Sequence, residues 1–209
     1  MDIINKEKAL EYLKSGKIII FPTETSYGLG CDAANQEAVG RIFKIKGRRP
    51  DKPLLVVVPT IEMAKEYLEW NENLDRLSKR WPGPLTVVAE YKKFRNKEIK
   101  KLSDGVVGQD NTVAVRVTNA EIPKYLSESL GRPVVATSAN LADAGDVYSS
   151  QELIKVYENR EFQPDAIVDF GILPPNPPTT IVSVVGEELK VLRQGVVVIP
   201  AQAGIQKQK

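Results

Sequence analysis

The sequence predicts an α/β fold in which a twisted, open, mixed sheet is flanked by helices. Short apolar runs typical of strands alternate with segments of helical periodicity along most of the chain. Residues 18–21 are apolar at every position, as in a strand that is covered on both faces. The last two apolar runs are joined by a tight turn at Gly186 and Glu187, which predicts an antiparallel hairpin and therefore a mixed sheet.

Capping signals locate the predicted helices. Asn5 can cap a first helix that Gly16 ends, Asn35 can cap a second, and Ser149 forms a capping box with Glu152. The predicted helices cover residues 6–14, 36–46, 60–68, 74–80, 122–130 and 150 to about 159.

The remaining apolar runs are strands, separated by irregular connections. Residues 22–30 are predicted as a loop with two glycines, and residues 92–111 as a polar excursion or mobile loop. The segment 174–178 is dense in proline, so we expect it to be extended and stiff. The predicted strands cover residues 18–21, 54–58, 85–91, 113–117, 134–137, 167–169, 181–185 and 189–192.

Length and composition are those of a globular protein. The chain has 209 residues, 42% of them hydrophobic, which predicts one domain over residues 1–200 and a disordered polar tail at 201–209. The net charge of +2 is too close to balance for a protein whose whole surface wraps nucleic acid, although one basic patch is compatible with it. No signal-peptide pattern or run of ~20 apolar residues is present, so we expect a cytoplasmic protein without membrane contact.

Two residue types are scarce enough to exclude whole classes of mechanism. The chain has no histidine, which excludes serine triads and zinc sites with histidine ligands. Cys31 is the only cysteine, which excludes an internal disulfide, a cysteine-based metal cluster and a Cys-His nucleophile.

Hydroxyl groups are concentrated directly after the first buried strand, in residues 22–30 (Pro-Thr-Glu-Thr-Ser-Tyr-Gly-Leu-Gly). Ligands bind at the carboxyl ends of strands in open α/β sheets, so Thr25 and its neighbours could hold a small polar ligand. The alternative is a turn in which Thr and Ser side chains cap nearby backbone groups. This segment alone favours the turn.

Five cations fall in the short connection between the second helix and the second strand. They would repel one another unless an anion such as phosphate is bound there. The alternative is a solvated basic loop, but Gly47 and two prolines restrict the backbone and favour a site. No Walker-type loop is present. The five cations are Lys44, Lys46, Arg48, Arg49 and Lys52.

Polar residues also mark two later strands. Ser138 and Asn140 follow the run 134–137 and suit phosphate oxygens or a metal-bound water. Period two places Thr112, Ala114 and Arg116 on one face of their strand. Arg116 either has an anionic partner or belongs to an edge strand and reaches solvent, and the segment does not decide between the two.

Near the end of the chain, Thr179 follows the proline segment and Arg193 ends the hairpin. Arg193 is either another phosphate contact or a surface cation.

Together, five ordered blocks resemble the YrdC-like family, the threonylcarbamoyl-adenylate synthases. The combination of Lys46-x-Arg48 with Ser138-x-Asn140 is that family's signature, and the resemblance covers about residues 18–195. The blocks are Phe-Pro-Thr-Glu-Thr with Tyr-Gly-Leu-Gly, Lys-Gly-Arg with Lys-Pro-Leu, Trp-Pro-Gly-Pro-Leu-Thr, Val-Ala-Val-Arg-Val, and Thr-Ser-Ala-Asn.

The resemblance implies a YrdC-like fold with a basic concave face, a reaction and a set of partners. Family members make threonylcarbamoyl-AMP and pyrophosphate from L-threonine, bicarbonate and ATP with Mg²⁺, without an organic cofactor. A separate transferase complex then modifies tRNA. We further expect the site cations to converge on the concave face while the acidic residues lie elsewhere.

The resemblance also implies roles for individual residues. Lys46 and Arg48 would be catalytic, and no metal-ligating residues are implied. The nucleotide would be held by Arg48, Lys52, Thr112, Ser138, Asn140, Asp146 and Arg193. Threonine would be held by Thr25, Arg116, the backbone of Ala136, and Thr179.

This chemistry does not need histidine. Once the threonine amine has taken up carbon dioxide, the carbamate is an anion that can attack the α-phosphorus of ATP without a general base. The protein must hold two anions in line and stabilise charge on the phosphoryl oxygens. Two positions depart from the family pattern: Ala142-Asp143 replaces a Ser-Gly pair, and an apolar residue near Val57 replaces a histidine that contacts threonine in some members.

Two alternatives remain at this point. A non-catalytic relative could use the basic face to bind RNA or a ribosomal particle, in which case binding would depend steeply on salt. The related domain of hydrogenase-maturation proteins makes a carbamoyl-adenylate, but the acylphosphatase and zinc-finger segments of those proteins are absent from this sequence.

Overall fold

The structure is a computed structural model that describes residues 1–49, 51–92, 101–141, 144–186 and 188–199. Within these residues it contains the predicted mixed α/β fold, with six helices and eleven strands. The helices are α1 Lys6–Lys14, α2 Gln36–Lys46, α3 Ile61–Tyr67, α4 Glu72–Ser78, α5 Glu121–Leu130 and α6 Ser150–Tyr157. The strands are β1 Asp2–Ile4, β2 Ile19–Pro22, β3 Tyr27–Gly30, β4 Val56–Val58, β5 Leu85–Glu90, β6 Thr112–Val117, β7 Val134–Val135, β8 Thr137–Ser138, β9 Ala166–Val168, β10 Thr180–Ser183 and β11 Lys190–Arg193.

The strands form two mixed sheets. One has five strands in the order β1-β9-β2-β3-β8, and the other has six in the order β11-β10-β5-β6-β4-β7. The sequence predicts residues 134–137 as one strand, but the chain changes sheet there. Val134 and Val135 pair with β4, whereas Thr137 and Ser138 pair with β3. Ala136, between them, therefore marks the point where the two sheets meet.

The predicted caps are confirmed. The side chain of Asn5 accepts a hydrogen bond from the Lys8 amide at 2.9 Å, and that of Asn35 accepts one from the Ala38 amide at 3.0 Å. Ser149 accepts from the Glu152 amide in the same way. Such caps satisfy first-turn N–H groups that have no partner within the helix.

The loop predicted over residues 22–30 is wrong in its second half, where Tyr27–Gly30 form β3. Glycine lowers strand propensity, which hides this strand in the sequence. Tertiary packing requires the glycine here, because a Cβ at Gly30 would lie 2.7 Å from a ring carbon of Phe21 and would overlap the carbonyl oxygen of Val135. The close approach of β3 to its neighbours thus selects glycine.

Two apolar clusters form the core. The buried run 18–21 contributes to both, with Ile18 and Ile20 in the larger cluster and Ile19 and Phe21 in the smaller one beside α1 and α5. The prediction that this strand is covered on both faces is confirmed. Burial of each such side chain stabilises the fold by about 1.5–3 kcal/mol before entropy costs.

Some expectations fall on residues outside the described ranges: the tail at 201–209, part of the excursion at 92–111, the departure at 142–143, and Glu187 of the hairpin turn. Among the residues that are described, no helix is long and apolar enough to cross a membrane.

Candidate active site

A cavity of about 1170 Å³ lies where the two sheets meet. Its volume is slightly above the range of about 300–1,000 Å³ that is typical of small-molecule sites. One face of β6 contributes Thr112, Ala114 and Arg116, as period two predicts. The turn before β3, the apolar side of α2 and residues 104–110 supply the other walls.

Most of the residues proposed from sequence converge on this cavity. Lys46, Lys52 and Asn140 do not line it. The cavity is lined by Thr25, Arg48, Thr112, Arg116, Ala136, Ser138, Asp146, Thr179 and Arg193.

Arg48 follows the end of α2, where Gly47 adopts the left-handed conformation (φ 62°). Its Nε donates to the carbonyl of Lys52 at 2.9 Å, and its Nη2 donates to that of Pro53 at 3.0 Å. These bonds fix the guanidinium at the cavity and leave further N–H groups for an anion. Burial lowers the pKa of Arg48 from its usual value. Lys52 contributes its backbone to this arrangement, and its side chain is exposed.

Lys46 is buried beneath the turn that carries Ser138 and Asn140. Its Nζ donates to the carbonyl oxygens of Ser138 and Asn140, both at 2.6 Å, and to Oδ1 of Asn140 at 3.3 Å. The Ser138 hydroxyl donates to the same Oδ1 at 2.6 Å. Burial, with a smaller effect from the charge of Arg48, lowers the pKa of Lys46 to about 8. Lys46 therefore acts on the cavity through the turn and does not face the cavity itself.

Thr179 and Arg193 form a second polar corner. Arg193 donates through Nε to the Thr179 carbonyl at 3.0 Å and through Nη2 to the Thr179 hydroxyl at 2.9 Å. The Thr179 hydroxyl also lies 3.2 Å from that of Thr86. Burial lowers the pKa of Arg193, and the charge of Asp146 opposes this shift. Arg193 lines the cavity and is also exposed to solvent, so its role as a phosphate contact stays a prediction.

Arg116 lies on a central strand, because β6 is paired with β5 on one side and β4 on the other. The edge-strand alternative is wrong, and the expected anionic partner is Glu24, whose Oε1 is 3.4 Å from Arg116 Nε. Among the described residues, no hydrogen-bond acceptor is found for this buried Nε. Burial lowers the pKa of Arg116; Glu24 opposes this effect and Arg193 adds to it. Arg116 is therefore a cation with unused donors at the cavity wall.

Acidic residues share the cavity with the arginines, so the expectation that they lie elsewhere is wrong. Asp51, Asp104, Asp110 and Asp146 all contribute to its lining. The Asp110 carboxylate accepts a hydrogen bond from the Thr112 hydroxyl at 2.8 Å. The sequence cannot reveal this proximity, because these aspartates come from three separate loops.

Besides these aspartates, three residues at or behind the cavity wall are not predicted from the sequence. Thr86 lies within the quoted Trp-Pro-Gly-Pro-Leu-Thr block and shares a strand face with Val88, which could have identified it as a lining residue. Glu24 lies within the first block, and Thr118 follows β6, but neither position shows a chemical role in the sequence. Val57, near the position of the histidine of some relatives, is fully buried in the smaller core cluster.

Comparisons with known proteins show the family to which the chain belongs. Residues 11–195 match the family model described as Telomere recombination (Sua5/YciO/YrdC). A protein of Psychromonas ingrahamii named threonylcarbamoyl-AMP synthase is 31% identical over 177 residues, which is 83% of this chain and 88% of that protein. A protein of the same name from Pyrococcus abyssi is 40% identical over 139 residues, or 64% of this chain and 38% of that one.

Solved structures extend the comparison to the fold. The structure of P. abyssi Sua5 complexed with L-threonine has a TM-score of 0.80 at 32% identity. The match covers 91% of this chain and 54% of that one, so this chain spans about half the length of the archaeal protein. Escherichia coli YciO has a TM-score of 0.76 at 25% identity, with 93% and 92% of the two chains covered. From the family match over residues 11–195 and the shared fold, the chain belongs to the Sua5/YciO/YrdC family.

Proposed function

We propose that this protein is a threonylcarbamoyl-AMP synthase, which forms threonylcarbamoyl-AMP and pyrophosphate from L-threonine, bicarbonate and ATP. The observation that carries the proposal is the convergence of two sets of residues on one cavity. The signature residues Arg48 and Ser138 lie in the same cavity as Arg116 and Thr179. The names of the relatives and the threonine-bound P. abyssi Sua5 structure support the same substrate.

In this proposal the phosphates of ATP lie among Arg48, Ser138, Thr112 and Arg193. The guanidinium groups can donate bidentately to phosphoryl oxygens. The hydroxyl protons of Ser138 and Thr112 point to Asn140 and Asp110 and would turn to the phosphates when ATP binds. Asn140 and Lys46 hold Ser138 in place from behind, and Lys52 does the same for Arg48 through its carbonyl. Asp146 lies beside Arg193 and limits the net positive charge there.

Threonine lies on the other side of the cavity. The Arg116 guanidinium would bind its carboxylate, and Thr25, Thr179 and the Ala136 backbone would contact the rest of the amino acid. Arg193 of the proposed ATP site donates to Thr179 of the proposed threonine site, so the two sites are adjacent. In this arrangement the carbamate and the α-phosphorus lie close together.

Orientation and charge stabilisation carry the reaction. The carbamate oxygen attacks the α-phosphorus, and the bond from that phosphorus to the bridging oxygen breaks to release pyrophosphate. Alignment of the two reactants can lower the barrier by about 7–11 kcal/mol. Magnesium would enter as part of the ATP substrate and neutralise charge on its phosphates.

The proposed product is a mixed anhydride that a second enzyme must consume. We propose that a tRNA threonylcarbamoyl transferase complex takes it up in the cytoplasm. We also propose that RNA contacts the exposed cations Arg49 and Lys52, where its phosphates would compete with Asp51 for Arg49.

The test is release of pyrophosphate from ATP, bicarbonate and Mg²⁺ with and without L-threonine. We expect release to require threonine and to be accompanied by an adenylate of the threonylcarbamate mass. Release that does not depend on threonine would refute the proposed function, as would tight, salt-dependent RNA binding with no turnover.

A further inference from the structure

Glu24 is a carboxylate that lies behind the cavity wall. Its side chain is 11% exposed, and it is absent from the residues that line the cavity, although its neighbours Thr23 and Thr25 line it. Besides the contact with Arg116, it accepts hydrogen bonds from the Thr118 hydroxyl, which is 3.2 Å from both carboxylate oxygens. These contacts turn the Glu24 carboxylate toward Arg116 of β6 and Thr118.

The backbone of Glu24 is fixed as well. The amide of Asn176 donates to the Glu24 carbonyl at 3.0 Å, which ties the proline segment to this turn. The Thr118 hydroxyl is itself oriented, because it accepts a hydrogen bond from the Ala120 amide and so has its own proton left for Glu24. Hydrogen bonds therefore fix both the backbone carbonyl and the carboxylate of Glu24.

The surroundings of Arg116 indicate what the Glu24 carboxylate does. Arg116 is 3% exposed. The positive charge of the Arg193 guanidinium is near enough to lower the pKa of Arg116. The two like charges repel, and the Glu24 carboxylate beside the buried Arg116 offsets this repulsion. Glu24 faces Nε, and no hydrogen bond from the terminal nitrogens is found among the described residues, so these nitrogens can bind a ligand.

We propose that Glu24 is a positioning residue for threonine binding, which holds the Arg116 guanidinium so that its terminal nitrogens face the amino-acid carboxylate. This inference rests on the proposed function. Glu24 touches neither substrate, and it acts through Arg116 alone.

The test compares Glu24→Gln with the wild type in steady-state assays of threonine-dependent pyrophosphate release. Glutamine keeps the length of the side chain and an oxygen that accepts from Thr118, but it removes the charge. We expect the KM for threonine to rise about tenfold, which corresponds to about 1.4 kcal/mol, while the KM for ATP changes by less than about twofold.

Two further variants sharpen the result. Thr118→Val removes the donor to Glu24 without changing charge, and we expect about a threefold rise in the KM for threonine. Glu121→Gln makes the same chemical change at an exposed carboxylate that is paired with Lys6, and we expect no change in either KM.

An unchanged KM for threonine in Glu24→Gln would overturn the inference. An equal rise in both KM values together with a lowered thermal midpoint would also overturn it, because that pattern indicates general loss of structure. If the wild type itself shows no threonine dependence, the proposed function fails. If the wild type depends on threonine and Glu24→Gln behaves like it, only this inference fails.

Discussion

Lys46 and Arg116 are both buried cations of the site, yet the protein uses them differently. The Lys46 ammonium donates to three oxygens of the turn that carries Ser138 and Asn140. The Arg116 guanidinium has one ion-pair partner, and its Nε has no hydrogen-bond acceptor among the described residues. In our proposal Lys46, whose ammonium is engaged by the turn, supports the site. Arg116 instead binds a ligand through its terminal nitrogens, for which the described residues supply no hydrogen bond.

The largest effect is expected for Arg116→Lys. Lysine keeps the charge beside Glu24 but loses the planar pair of donors that suits a carboxylate. We expect kcat/KM for threonine to fall about 100-fold, or about 2.7 kcal/mol, with a much smaller change for ATP. Steady-state kinetics with each substrate varied in turn measure this. An equal loss for both substrates would contradict the assignment of Arg116 to threonine.

A different pattern is expected for Lys46→Met, which keeps the length of the side chain and removes the ammonium. Buried carbonyl oxygens of Ser138 and Asn140 would lose their donor, at a cost of about 1–3 kcal/mol for each unsatisfied group. Urea denaturation should show this loss of unfolding free energy, and activity should fall for both substrates together. Normal stability with lost activity would instead place Lys46 in contact with substrate.

The pH dependence tests the same lysine. With its pKa lowered to about 8, Lys46 loses its proton as pH rises through that value, so we expect activity to decline above about pH 8. The unfolded chain holds the proton up to its ordinary pKa near 10.5 and binds more protons in this interval, so the contribution of Lys46 to stability rises with pH there. Activity and stability should therefore move in opposite directions between about pH 8 and 10.

Profiles of activity and of urea midpoint against pH measure this divergence. The control is Lys46→Arg, whose guanidinium keeps its proton throughout the range. A decline in activity of the same size in the folded control would assign it to another group.

The smallest effect is expected for Thr86→Val. Thr86 contacts the pair formed by Thr179 and Arg193 through the Thr179 hydroxyl. Thr86→Val removes this hydrogen bond from a fully buried position and keeps the shape of the side chain. We expect a loss of about 1 kcal/mol in unfolding free energy and a change in the KM for threonine of less than about threefold. Thermal unfolding and the pyrophosphate assay measure both. A loss of activity as large as that in Arg116→Lys would contradict this ranking.

Much of the fold follows from local signals in the sequence. Asn5, Asn35 and Ser149 fix helix starts because each side chain accepts from a first-turn N–H group that has no partner within the helix. Period two places Thr112 and Arg116 on one face of β6, which is the face that lines the cavity. These inferences succeed because they depend on neighbours in the chain.

Other features depend on contacts between distant segments. The sequence predicts one strand over residues 134–137. In the structure Val134 pairs with β4 and Thr137 pairs with β3, so the segment is split between two sheets. The direction of the Lys46 side chain and the pairing of Glu24 with Arg116 are likewise set by tertiary structure. A sequence motif therefore shows which residues belong to a site more readily than it shows whether each residue contacts the ligand or supports its neighbours.

The most direct measurement replaces L-threonine with L-threoninamide in the pyrophosphate assay. The amide keeps the side chain and the reactive amine but lacks the carboxylate that Arg116 is proposed to bind. We expect pyrophosphate release with threonine and almost none with threoninamide, and a smaller preference for threonine in Arg116→Lys, which keeps the charge but not the planar donor pair. Equal release with both compounds in the wild type would contradict it.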